Sequence, residues 1–172
     1  NLYQGLLGLP RAEQIALTAS AMAMLADLAR QHGLLLYLES LAWTPLNRLS
    51  DQVELIERAG RDNLRLVVDY WHCYASGDTP DDVARLDSNL IYGVHICDSL
   101  ASTGGIPNEA VLRDVPTGKG VLDLKAWTDA VKSTGYRGWW SCELFCKRQQ
   151  QDDSFAVAGA LHALMSDLVP KD

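Results

Sequence analysis

"LVVDYWHCYASG" (66–77) puts two signals side by side. Leu66, Val67 and Val68 are apolar and consecutive, as in a strand buried on both faces. The run then meets a carboxylate, Asp69, and three residues later an imidazole, His72. A carboxylate is costly inside a core unless it is paired. Asp69 therefore belongs where the buried part of the strand stops. In parallel α/β folds that place is the C-terminal edge of the sheet, where loops leave and reactive groups gather.

Working outward, three other stretches read as strands beside "LRLVVDY" (64–70): "LLLYLES" (34–40), "LIYGVHICD" (90–98) and "GWWSCELF" (138–145). Helical patterns separate them. Residues 11–32 are rich in Ala, Leu and Met, with Ile15, Met22, Leu25 and Leu28 at helical spacing and Gly33 as the stop. Residues 49–60 start with Ser50 as the expected cap and end on Gly60. Residues 79–86 carry Thr79 as cap and Pro80 at the first position. Residues 123–135 end on Gly135, and 152–169 form an amphipathic closing helix. The polar stretch 99–120 is too long for a plain connection and reads as a functional loop. The opening "NLYQGLLGLP" (1–10) has neither cap nor strand pattern and reads as a loop entered mid-protein, with more chain expected before it.

The order α-β-α-β-α-β-α-β-α implies an α/β fold with a parallel sheet covered by helices. A (β/α)8 barrel typically takes ~250 residues. Four units make half of one. The 172 residues read as a single domain, 1–172, with no linker or low-complexity stretch.

Composition narrows the function classes. A net charge of −7 argues against nucleic acid as the main partner, because phosphate binding needs clustered Lys and Arg. No apolar run approaches the ~20 residues of a membrane span. The four cysteines form no CxxC pair and read as reduced thiols of a cytoplasmic protein.

Each strand carries one metal-competent side chain at or near its C-terminal end: Glu39, Asp69, His95 and Glu143. Strand residues two apart share a face. If these four point inward, so do Leu35 and Tyr37, Arg65 and Val67, Ile91 and Gly93, and Trp139 and Ser141. The opposite faces, including Leu36, Leu38, Leu66, Val68, Val94, Ile96 and Trp140, are largely apolar, as a helix-facing side must be. Three carboxylates and an imidazole make a hard, oxygen-rich set suited to Mn²⁺, Mg²⁺ or Co²⁺, with Zn²⁺ also admitted. Without a metal, the converging carboxylates would repel and at least one would take up a proton. The bland alternative is four unrelated polar residues at loop starts.

The motifs "YLES" around Glu39, "VVDYWH" around Asp69 and His72, "GVHICD" around His95 and Asp98, Arg113 followed by "TGKG", and "GYRGWWSCELF" around Glu143 together resemble the xylose-isomerase-like barrels. That family includes sugar isomerases, sugar epimerases and inosose dehydratases. The resemblance spans about residues 11–169. It implies a (β/α)8 TIM-barrel type of which this chain supplies roughly strands five to eight. It implies that Glu39, Asp69, His95 and Glu143 hold one divalent metal, with Mn²⁺ the first choice. It implies that Glu39 and Glu143 form the acid/base pair, and that His72 and Arg113 bind substrate oxygens. The implied activity is a metal-dependent isomerase or epimerase acting on a ketose or polyol by proton abstraction next to a metal-bound carbonyl. A dehydratase of the inosose or 3-dehydroshikimate type is the alternative, and an inactive fragment or non-catalytic half-barrel a further one. The apurinic endonucleases sharing the fold need more histidines than four and a basic face. The expected substrate is a sugar or cyclitol. The family's first four strands have no counterpart here, so self-association or a missing N-terminal half is expected.

Several residues keep two readings. Arg113 is a substrate ligand or a surface arginine. Asp98 orients His95 or the metal shell, or starts the loop. "TGKG" (117–120) cradles a phosphate or is a turn. Trp139 lines the pocket if inward, and Trp140 reads as core. Cys73, Cys97, Cys142 and Cys146 read as inert fillers. His32 and His162 read as structural or exposed helix residues.

Overall fold

The computed structural model describes residues 8–169. Most of the loop expected over 1–10 lies outside the described residues. In chain order the elements are α1 (Arg11–Arg30), β1 (Leu36–Glu39), α2 (Leu49–Ala59), β2 (Leu64–Asp69), α3 (Tyr70–Ser76), α4 (Pro80–Ala84), a 3₁₀ turn (Ser88–Leu90), β3 (Ile91–Ile96), α5 (Glu109–Leu112), α6 (Leu124–Ser133), β4 (Trp139–Cys142), α7 (Lys147–Gln151) and α8 (Ser154–Leu168). The strands pair in parallel in the order β1-β2-β3-β4. The sheet is an open segment of a β/α barrel, with β1 and β4 as its edges.

One face of the sheet makes the core. Leu66, Val68, Val94 and Ile96 are fully buried there against Ile56 and Ala59 of α2 and Leu124, Trp127 and Val131 of α6, with Leu36, Leu38 and Trp140 packed at its margin. The other face is the concave one. Tyr37 and Trp139 stand on it, 47% and 39% exposed. Gly93 sits beneath Trp139, and a Cβ at Gly93 would fall inside the indole. A side chain there and a flat indole exclude each other, which is why the position is glycine.

Register follows the expected alternation with one break. Asp69 pairs with His95 and His95 with Ser141, while Glu39 pairs with Val67, Val67 with Gly93 and Gly93 with Trp139. Ile91 does not point inward. The β2–β3 register shifts between Leu66 and Val67, so Ile91 pairs with Leu66 and joins the helix-facing core. Tyr92 instead stacks on Tyr37 at 5.1 Å and meets Trp139 edge-on at 5.5 Å. Such a bulge adds one residue and reverses the faces upstream of it.

Other departures have local causes. The strands are shorter than their apolar runs, which continue into the connections. Tyr70 is not a strand residue but opens α3, a helix that starts directly after β2. Its aromatic residues favour strands, but Asp69 caps the turn by accepting the His72 N–H at 2.8 Å. The short helices α5 and α7 carry too few residues for a period to show. Arg48, not Ser50, precedes α2 as its N-cap. Asp51 accepts from the Arg48 N–H at 3.1 Å, and Asp78 from the Leu49 N–H at 2.9 Å. On α1 the buried apolar residues are Ile15, Ala19, Ala26 and Ala29, while Leu25 and Leu28 of the expected stripe are exposed. Small alanines let α1 approach closely, and Asn63 Nδ2 donates to the Ala26 carbonyl at 2.8 Å. His32 lies just past α1 and His162 on α8, both exposed.

Candidate metal centre

The sheet edge delivers four donors to one point. Glu39 ends β1 and Asp69 ends β2. His95 lies on the last turn of alternation of β3. Glu143 follows β4 and extends its ladder, its N–H donating to the Ile96 carbonyl at 3.2 Å. One ligand atom from each of the four lies within 4.8 Å of every other. His95 Nδ1 stands 3.3 Å from Glu39 Oε1, 3.3 Å from Glu143 Oε1 and 3.6 Å from Asp69 Oδ2. It is buried and makes no directed hydrogen bond to any of them. The attraction is one of charge, with the ring nitrogen aimed into the space the carboxylates share.

The electrostatics show how much positive charge this cluster draws. Burial disfavours the imidazolium, yet Asp69, Glu39 and Glu143 outweigh it and push His95 up to about 10. Burial likewise opposes the Asp69 carboxylate, but His95, Arg113 and His72 hold it well below the usual range. Glu143 moves the other way: burial and the Asp69 charge raise it, against the pull of Arg113.

Arg113 is drawn into the cluster, not left on the surface. It follows α5, is 2% exposed, and its Nη2 donates to Glu143 Oε2 at 2.7 Å and to Asp69 Oδ2 at 3.4 Å. Its Nη1 donates to Glu109 Oε1 at 3.0 Å. The guanidinium lies over Phe145 at 3.9 Å and over Trp71 at 5.3 Å. His72 is buried beside Trp43 and Trp71. Its Nδ1 accepts from the Ala42 N–H at 3.1 Å, so the neutral ring carries its proton on Nε2. Burial pushes it below its ordinary value.

Two alternatives at the following loop resolve. Asp98 does not touch His95. It accepts from the backbone N–H groups of Gly118 at 2.9 Å, Gly120 at 2.8 Å and Leu122 at 3.1 Å. The Gly118 and Gly120 amides of "TGKG" are thereby spent on Asp98, the Lys119 N–H donates to the Pro116 carbonyl at 2.9 Å, and the segment is a turn pinned just beyond β3. A Cβ at Gly120 would strike Asp98 and the Ser99 carbonyl, so this approach needs glycine. Trp139 faces the cluster, its ring 5.7 Å from His95.

Some contributors had no sequence label. Glu109 lies four residues before Arg113, a spacing that pairs side chains on one helix turn, but α5 itself was not legible. Phe145 falls two residues beyond Glu143, where strand alternation keeps it on the same side. Cys97, read as filler, sits 3.3 Å from Asp69 Oδ1.

A parallel sheet backed by helices, with reactive groups at the C-terminal strand ends, is the architecture of (β/α)8-barrel enzymes. Within that class the chain belongs to the xylose isomerase-like TIM barrel family, whose pattern matches residues 2–164. An inosose isomerase of Halalkalibacterium halodurans is 28% identical over 128 residues, covering 73% of this chain and 45% of that protein. A 3-dehydroshikimate dehydratase of Pseudomonas aeruginosa is 32% identical over 132 residues, covering 76% of this chain and 21% of that protein. The chain thus spans less than half the length of these curated relatives. Among solved structures, the IolI protein with a bound zinc atom superposes with a TM-score of 0.83 over 94% of this chain and 58% of its own, at 24% identity. An L-ribulose 3-epimerase gives 0.69 over 91% and 54%, at 22%. Both likenesses speak to the fold. No helix among the described residues is long and apolar enough to cross a membrane.

Proposed function

We propose that this chain carries the metal-binding part of the active site of a divalent-metal-dependent isomerase or epimerase acting on a ketose or cyclitol. On this reading residues 1–172 are one domain, the C-terminal portion of the barrel, equivalent to strands five to eight. The observation that carries the reading is His95 Nδ1, buried without a hydrogen-bond partner and facing three carboxylates at 3.3, 3.3 and 3.6 Å. A ring nitrogen and three carboxylate oxygens so placed fit a hard divalent cation, Mn²⁺ first and Mg²⁺, Co²⁺ or Zn²⁺ next. Glu39, Asp69, His95 and Glu143 would hold it.

When bound, the metal supplies Lewis acidity that makes a proton next to a substrate carbonyl easier to remove. This chain's residues do the rest. Glu39 and Glu143 flank His95 from the two edge strands, and one takes the proton while the other returns one. His72, with its proton on Nε2, donates to a substrate oxygen. Arg113 binds a second oxygen and holds Glu143 in place, its guanidinium packed over Phe145 and Trp71.

The likeness to a 3-dehydroshikimate dehydratase favours a second reading, in which proton removal is followed by loss of a β-hydroxyl. Incubation of the Mn²⁺-loaded protein with ketoses, inososes and 3-dehydroshikimate in D₂O separates the two. Deuterium entering the carbon next to the carbonyl supports isomerase or epimerase chemistry. Water loss supports the dehydratase. Neither, in a folded chain that binds Mn²⁺, makes it a non-catalytic half-barrel and overturns the catalytic part of the reading.

A further inference from the structure

We infer that Cys97 is a positioning residue for Asp69, fixing its carboxylate so that Oδ2 alone faces the cluster. The inference rests on the metal-site reading above and goes beyond it, because it concerns how one ligand is oriented.

Cys97 lies two residues beyond His95, just past the end of β3, and is 2% exposed. Its sulfur joins the ends of two strands. The Trp71 N–H donates to Sγ at 3.2 Å, and the thiol donates to Asp69 Oδ1 at 3.3 Å. The same Oδ1 accepts the His72 N–H at 2.8 Å. The Trp71 and His72 amides of the first turn of α3 are therefore both turned toward one carboxylate, one through the thiol and one directly. Oδ1 is saturated by two donors of its own fold. Oδ2 is left to face His95 Nδ1 at 3.6 Å and Arg113 Nη2 at 3.4 Å.

A carboxylate free to rotate can offer either oxygen, or both. Two donors on one oxygen remove that choice and leave a single-oxygen ligand. Partners of this kind behind a metal ligand typically alter metal affinity by about 10- to 100-fold. A mere filler would matter for packing only. Cys73 provides that comparison: both thiols are buried in the hydrophobic core, and of the two it is Cys97 that donates to Asp69.

The test is Mn²⁺ titration calorimetry on the whole chain, with circular dichroism of every variant. Cys97→Ala is expected to lose roughly 10- to 100-fold in Mn²⁺ affinity. Cys97→Ser, which keeps a donor and an acceptor, stays close to wild type, as does Cys73→Ala. Wild-type affinity in Cys97→Ala overturns the inference while leaving the metal site standing. If Cys97→Ala does not fold, Cys97→Ser decides: a folded serine variant that has lost Mn²⁺ overturns it, and one that keeps Mn²⁺ supports it. A wild-type chain that takes up no Mn²⁺ overturns the metal reading, and this one with it.

Discussion

Arg113 Nη2 lies 2.7 Å from Glu143 Oε2, and the arginine is almost wholly buried. A buried cation thus stands against the carboxylate cluster from the loop side while His95 stands against it from the sheet. Removing one partner of a buried pair leaves the other uncompensated, at a cost of about 3–5 kcal/mol. Arg113→Met is expected to destabilise the metal-free chain on the order of 3 kcal/mol. Added Mn²⁺ should restore part of that, since it replaces the lost charge. Thermal melts with and without Mn²⁺ check this. An unchanged melting temperature in the metal-free variant would contradict it.

The His95 shift sets a pH dependence. Its folded value is raised from 6.5 to about 10 by Asp69, Glu39 and Glu143, against burial. Its contribution to stability is therefore fully present below about pH 6.5 and is lost as pH rises through about 10. Metal must displace that proton, so Mn²⁺ affinity should rise with pH in the same window, by roughly tenfold per unit. Titration calorimetry in buffers of different ionisation enthalpy reads out the released proton. Affinity flat from pH 6.5 to 9 would contradict the assignment of His95 as a ligand.

Gly93 lies under the Trp139 indole, and a Cβ there has no room. Gly93→Ala is expected to cost about 1–3 kcal/mol as the indole or the strand shifts. Trp139 fluorescence should change with it. Stability and emission both equal to wild type would show that the indole does not rest on this glycine.

Among the described residues β1 and β4 each have one strand neighbour, and Tyr37 and Trp139 leave the concave face partly exposed. Open parallel edges of this kind invite pairing. The chain on its own is expected to self-associate, and light scattering should give a mass above the 18.9 kDa of one chain. A monomer at micromolar concentration would contradict this.

The parts of this molecule that were legible in its sequence are those governed by burial alone. Leu66–Val68 and Val94–Ile96 announce strands because both faces of a parallel sheet are covered, and Glu39, Asp69, His95 and Glu143 stand out as the polar residues ending such runs. Alternation then put them on one face, and the register agrees. What escaped depends on tertiary geometry. The bulge that turns Ile91 outward leaves no composition signal. α3 is built from aromatic residues that favour strands and is set by a single cap, Asp69. Glu109 gains meaning only once Arg113 is placed against Asp69, 44 residues away in sequence, and Cys97 only once it meets Asp69 across 28.

On the function proposed above, the four strand-end side chains hold one divalent cation. Metal content per chain, measured by mass spectrometry on purified protein after Mn²⁺ loading, tests it most directly, with Asp69→Ala beside it. About one metal per wild-type chain is expected, and loss of it in the folded variant. A folded wild-type chain that retains no Mn, Co, Mg or Zn would contradict it.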